Sequence, residues 1–149
     1  MVRACRFGDA AAIAGLLNDL TAVAHADRAV TVARVEGFFR HCQSHSDMYA
    51  NFLAELDGRS VGFLSAVFYQ TPFHDKGTCL INELIVKEDR RGTGVGRALV
   101  EAARAEAKRR GMDEIEVGTE KSNTAAQRFY QRVGFDEEYV LLGEDFHKE

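Results

Sequence analysis

Apolar and polar positions change their period several times along this chain, and each change marks an element. Residues 2–6 alternate and predict a short first strand. Asp9 then reads as the N-cap of a helix running to about Leu20, with Ile13, Leu16, Leu17 and Leu20 on one face. Residues 21–30 have no clear period and fit either more helix or a loop. Thr31 reads as a second cap, before a helix that repeats Val32, Val35, Phe38 and Phe39 at helical spacing. Residues 49–56 and 60–69 are strand-like, and Asp57-Gly58 between them is a strong hairpin signal. Gly62 inside the second run predicts a bulge or a close backbone approach. A loop with Pro72, Phe73 and His74 follows over residues 70–78. Residues 79–86 are apolar on both faces, which predicts a central strand covered on both sides.

The next helix is expected from about Gly94 to Arg110, with Leu99, Val100, Ala103 and Ala107 as its inner stripe. Arg109 and Arg110 suit the negative end of its dipole, and Gly111 suits the residue just beyond it. A short strand at 114–117, a helix capped by Ser122 and ended by Gly134, and a last strand at 139–142 complete the series. The order predicts a mixed α/β domain built on one sheet, with no linker to divide it.

Composition narrows the function classes. The chain has 149 residues, 46% hydrophobic and 28% charged, enough for one domain with a full core. Its net charge of −4 argues against nucleic acid, whose phosphates need a basic footprint. It mildly favours a cationic substrate. No apolar run is long enough to span a bilayer, and Arg6 and Asp9 interrupt any signal-peptide core. The three cysteines, Cys5, Cys42 and Cys79, are odd in number and scattered, which points to reduced thiols and a cytoplasmic location.

The chemistry concentrates where strand becomes helix, in the run LINELIVKEDRRGTGVGRALV at residues 80–100. Gly92, Gly94 and Gly96 allow a sharp turn and a close ligand approach, and the helix start offers free N–H groups to an anion. A Walker loop would need Gly-Lys-Ser/Thr, which is missing. A dinucleotide loop needs a third glycine where Arg97 or Leu99 stands. The pattern present is Arg-x-x-Gly-x-Gly at Arg91, Gly94 and Gly96. With it, Asn123-x-x-Ala126-x-x-Phe129-Tyr130-x-x-x-Gly134-Phe135 resembles the Gcn5-related N-acetyltransferase (GNAT) superfamily, in its acetyl-CoA motif and its following helix. The element order resembles that family over nearly the whole chain.

The resemblance implies a GNAT-like fold, a mixed and mostly antiparallel sheet flanked by helices. Its central strands splay, leaving backbone groups near Ile85 and Val86 to pair with the pantetheine arm of acetyl-CoA. The pyrophosphate would lie on the N–H groups of Arg91, Gly92, Thr93, Gly94, Val95, Gly96 and Arg97, with the two arginines helping to neutralise it. Asn123 and Ala126 are expected beside the pantetheine, although Asn123 can equally cap its helix.

By the same resemblance Tyr130 is expected to face the cofactor sulfur and to protonate the leaving thiolate; the competing role is a core tyrosine packed beside Phe129. Glu83 is the expected base or amine-binding carboxylate; the competing role is a structural ion pair. The acceptor is expected to be a small cationic amine, such as an aminoglycoside or polyamine. Peptide N-termini or lysines are the alternative acceptors, and a non-catalytic acyl-CoA sensor is the alternative class. Homodimers occur in the family. His41, Cys42 and His45 have helical metal-ligand spacing, but no further ligand completes a site, so no metal is expected. His74 reads as a solvated loop residue and Cys79 as strand packing.

Overall fold

A computed structural model of the protein describes residues 1–24 and 29–148, with side chains described outside 20–24. The chain falls into two units, Met1–Val117 and Gly118–Glu149.

The first unit holds a five-stranded sheet in the order β1-β2-β3-β4-β5. The strands are β1 (Val2–Ala4), β2 (Tyr49–Leu56), β3 (Arg59–Tyr69), β4 (Thr78–Val86) and β5 (Glu114–Val117). The first four are antiparallel neighbours, and β5 joins β4 in parallel. The helices of this unit are α1 (Ala10–Ala24), α2 (Val32–Ser44) and α3 (Val95–Arg109). The mixed, mostly antiparallel sheet flanked by helices therefore stands as expected.

Local chemistry explains most boundaries. Asp57 and Gly58 both take positive φ, 51° and 73°, as a two-residue hairpin turn requires. Thr31 caps α2, its side chain accepting the Arg34 N–H at 3.1 Å. Asp9 does not cap α1 as expected. It ends a 3-10 turn, Phe7–Asp9, and its carboxylate accepts the Arg6 N–H at 2.6 Å. The same carboxylate takes both terminal nitrogens of Arg3 at 2.9 Å, and Arg3 also reaches Glu55. Of the face expected on α2, Val35 and Phe39 are buried but Val32 is 42% exposed, because it lies in the first turn. The expected Leu20 contact and the core of the 21–30 stretch lie outside the described residues.

Each face of the sheet has its own helical cover. Leu53, Phe63 and Ile85 share one face and pack with Ile13, Leu16, Val35 and Phe39 of α1 and α2. Gly62 lies on the other face, where α3 approaches so closely that a Cβ would sit 2.9 Å from Leu99 Cδ1 and 3.1 Å from Val95 Cγ1. The β2–β3 register slips beside it, between Ala54 and Glu55, so both the bulge and the close approach expected at Gly62 occur. Arg110, at the end of α3, holds the start of β2. It donates to the carbonyls of Asp47 (2.9 Å) and Tyr49 (3.1 Å), pairs with Glu106 and lies 4.1 Å over the Phe68 ring.

The second unit contains α4 (Thr124–Arg132) and an irregular segment after it. The strand expected at 139–142 is absent. Tyr139, Val140, Leu141 and Leu142 are 65–88% exposed, and apolar sequence without a described strand beside it does not become a strand.

Candidate functional site

The site grows out of two irregularities in β4. Ser65 pairs with Glu83 and Ala66 with Ile81, so Asn82 is an extra residue, a β-bulge. At the same level β5 stops, its last pair being Ile81 with Val117. Beyond Ile81, β4 continues to Val86 with β3 on one side and no described strand of the first unit on the other. The bulge exposes both Asn82 and Glu83. This corrects the expectation that β4 is covered on both faces; Thr78, Cys79, Ile81 and Ile85 are buried, but the middle of the strand opens.

The Glu83 carboxylate makes no hydrogen bond or ion pair with any described residue. Its tip reaches solvent, yet the surrounding protein removes enough water to push its carboxyl above the ordinary range. A structural ion pair would have lowered it instead. The structure therefore places Glu83 as an unpaired, partly desolvated carboxylate at the point where β4 leaves β5.

Past Val86 the chain makes a short 3-10 turn, Glu88–Arg90, and then the glycine turn. Gly92 and Gly94 take φ of 75° and 92°, a region open to glycine and strained for other residues. Gly94 is the N-cap of α3, and Gly96 is already its second residue. The first intrahelical bond runs from Ala98 N to the Gly94 carbonyl at 3.0 Å, so the N–H groups of Val95, Gly96 and Arg97 precede the ladder. Val95, Leu99 and Val100 are buried and anchor this end, while residues 91–94 are exposed. The result is an exposed turn leading into the positive end of a 15-residue helix, a place suited to a phosphate. Arg91 folds back, its Nε donating to the Val86 carbonyl at 3.2 Å. That carbonyl is therefore partnered, contrary to the expectation of free backbone at Val86.

In the second unit Asn123, not Ser122, caps α4; its Oδ1 accepts the Ala126 N–H at 3.1 Å. Tyr130 is half-buried and meets Phe129 and Phe135 at ring distances of 5.3 and 5.6 Å. Gly134 takes φ of 106° just past the helix end.

The weaker candidates resolve differently. His74 is not simply solvated: its ring bridges Thr71 Oγ1 (2.7 Å) and Glu114 (3.0 Å), pinning the β3–β4 loop. Cys79 is fully buried, and burial pushes its thiol to about 12, which suits packing and not attack. His41 and His45 stack at 4.3 Å while Cys42 is buried. Among the described residues no three metal-ligating side chains come together. The bulge at Asn82 and the clamp of Arg110 had no signal in the sequence, since both depend on strand register.

The sequence matches a known family model, that of the Acetyltransferase (GNAT) family, over residues 15–135. The chain belongs to that family. An uncharacterized N-acetyltransferase of Methanocaldococcus jannaschii is 34% identical over 62% of this chain and 41% of its own length. The chain thus spans less than half of that curated relative. Among solved structures, glucosamine-6-phosphate N-acetyltransferase from Arabidopsis thaliana superposes with a TM-score of 0.81 at 19% identity, covering 98% and 97% of the two chains. An aminoglycoside acetyltransferase from an uncultured soil metagenomic sample, in complex with sisomicin, gives 0.80 at 16% identity, covering 100% and 96%. No described helix is long and apolar enough to cross a membrane.

Proposed function

We propose that this GNAT protein is an acetyl-CoA-dependent N-acetyltransferase in which a primary amine attacks the thioester directly. The observation that carries the reading is Glu83, unpaired and raised in pKa beside an open strand edge and a helix-start cradle.

Acetyl-CoA supplies an activated acetyl group with a thiolate as leaving group. The chain's residues do the rest. The edge of β4 from Asn82 through Ile85 offers backbone groups to the pantetheine amides, as a partner strand would. The N–H groups of Val95, Gly96 and Arg97, behind the Gly92–Gly94 turn, receive the pyrophosphate, with Arg91 and Arg97 supplying positive charge. The family resemblance assigns Asn123 and Ala126 to the pantetheine arm as well. Glu83 takes the proton of the incoming amine, which its raised pKa favours near neutrality. The Tyr130 phenol gives a proton to the departing thiolate.

The acceptor we favour is a small cationic amine, an aminoglycoside or polyamine. A net charge of −4 and the exposed Glu83 support this, as does the structural likeness to an aminoglycoside enzyme. The test is a coenzyme-A-release screen over aminoglycosides, polyamines, amino acids and peptides. Release with small amines supports the reading. Release with peptides alone moves it to protein or peptide acetylation. Tight acetyl-CoA binding with no release on any amine makes the chain an acyl-CoA sensor.

A further inference from the structure

The opposite edge of the sheet holds a second concave feature. There β1 ends at Ala4, but β2 starts earlier along the shared edge, at Tyr49. Beyond the last β1 pair, α2 from one face and the end of α3 from the other close over β2. Between them lies a cavity of about 390 Å³, within the usual range for small-molecule sites. The feature is remote from the acetylation site, because β2 and β4 stand two strand spacings apart and the two sites occupy their outward sides.

Its wall is apolar and aromatic, from Phe7, Phe39 and Phe52, with the thiols of Cys5 and Cys42 and the amide of Asn51. The ionic side chains in it are largely spoken for. Glu106 is held at about 2 by hydrogen bonds from Arg109 and Arg110. Arg110 spends its donors on Glu106 and on the carbonyls of Ser46, Asp47 and Tyr49. Arg6 is the remaining cation and is exposed. Burial pushes the Cys5 thiol to about 12 and raises Cys42, so neither sulfur adds charge near neutrality. A cationic ligand would lose its hydration here without gaining a free carboxylate, since Glu106 is already paired, whereas a flat neutral ring loses little. One polar demand is unmet. Asn51 Oδ1 is buried without a hydrogen bond, while its Nδ2 faces Cys42 Sγ at 3.5 Å. A small turn of the amide would offer that oxygen to an N–H or O–H of the ligand.

We propose that this cavity is a second binding site, for an aromatic molecule that carries a hydrogen-bond donor and no positive charge, separate from the proposed site of acetyl transfer. The aromatic walls select the ring, the paired Glu106 leaves no carboxylate for a cation, and Asn51 selects the donor.

Benzamide and benzamidine test it, because they share one shape and differ in charge. Each is titrated into the full chain, following backbone amide shifts. Benzamide should shift the amides of Cys5, Asn51 and Phe52 saturably, with a Kd on the order of 1 mM for so small a ligand. Benzamidine should bind at least about tenfold more weakly, the cost of an unpaired cation in an apolar wall. Gln43→Trp, at an exposed lining position, should weaken benzamide about tenfold while keeping the rest of the spectrum, by filling the entrance. Non-saturating shifts, equal affinity for both probes, or a Gln43→Trp chain that binds benzamide as before would each overturn the proposal. Activity plays no part in the readout, so failure of the acetyltransferase reading leaves this result standing.

Discussion

Replacing Gly62 with alanine sets two physical effects against each other. By intrinsic preference, alanine in a strand interior should stabilise by about 0.5–1 kcal/mol, since glycine loses more backbone freedom on folding. Packing says the reverse. The new methyl would meet Leu99 Cδ1 at 2.9 Å and both Val95 Cγ1 and the Ile85 carbonyl at 3.1 Å. Leu99 is fully buried, Val95 is 8% exposed and the carbonyl belongs to β4, so none of the three can swing away cheaply. Overpacking of this kind costs about 1–3 kcal/mol, which exceeds the propensity gain and leaves a net loss of about 1–2 kcal/mol. Urea denaturation reads this directly. With a slope of about 1–3 kcal/mol/M, the midpoint should fall by about 0.5–1.5 M at unchanged slope. Gly15→Ala is the control of opposite sign. Gly15 is exposed within α1 with nothing within 4 Å of its would-be Cβ, so its midpoint should rise. Because Val95 opens α3 and bears one of the cradle N–H groups, Gly62→Ala should also raise the KM for acetyl-CoA. A Gly62→Ala midpoint at or above the parent's would refute the close docking of α3 on β3.

Other expectations follow from single contacts. Glu83→Gln should remove the acidic limb of the kcat/KM profile, a limb lying above the ordinary carboxylate value of about 4.3 because burial raises this group; a retained limb would remove Glu83 as the base. Tyr130→Phe should lower kcat by about tenfold to a hundredfold with the acetyl-CoA KM little changed, as steady-state kinetics would show; undiminished turnover would end the proton-donor role. The Arg3 pair holds Asp9 below the usual carboxylate range, so its contribution to stability is complete above about pH 4 and fades as pH falls through the depressed value. Asp9→Asn should therefore destabilise at pH 7 and converge with the parent near pH 2 in urea midpoints; a constant difference would contradict the linkage. Arg110→Ala should cost about 2 kcal/mol in the same assay, from its charged hydrogen bonds to the start of β2.

What the sequence made legible was what neighbouring residues decide together. Asp57-Gly58 announces a hairpin because its two residues alone supply the positive φ values the turn needs. Thr31 announces α2 because the group it caps is three residues away. The glycine turn announces a cradle for the same reason: strand, turn and helix start are contiguous. Asp9 misled because its strongest partner, Arg3, is committed at the same time to Glu55, 52 residues along the chain. Arg110 looked like a dipole complement at a helix end, yet its guanidinium reaches carbonyls 61 to 64 residues away.

The candidate site divides along the same line. Its loop is local and could be read; its carboxylate is not. Residue for residue, Glu83 sits in an apolar strand and should be buried. What exposes it is an unpaired Asn82 and the end of β5 at Val117, and both are properties of register between strands. The 139–142 stretch fails in the opposite sense. Its side chains suit a strand, but a strand is a pairing and not a property of one segment, and no described strand forms there. A carboxylate in an apolar strand therefore signals a reactive group only when something breaks the ladder beside it. Here the bulge and the lost partner fall within two residues of Glu83, and that break in the ladder is what the proposed role of its raised carboxyl rests on.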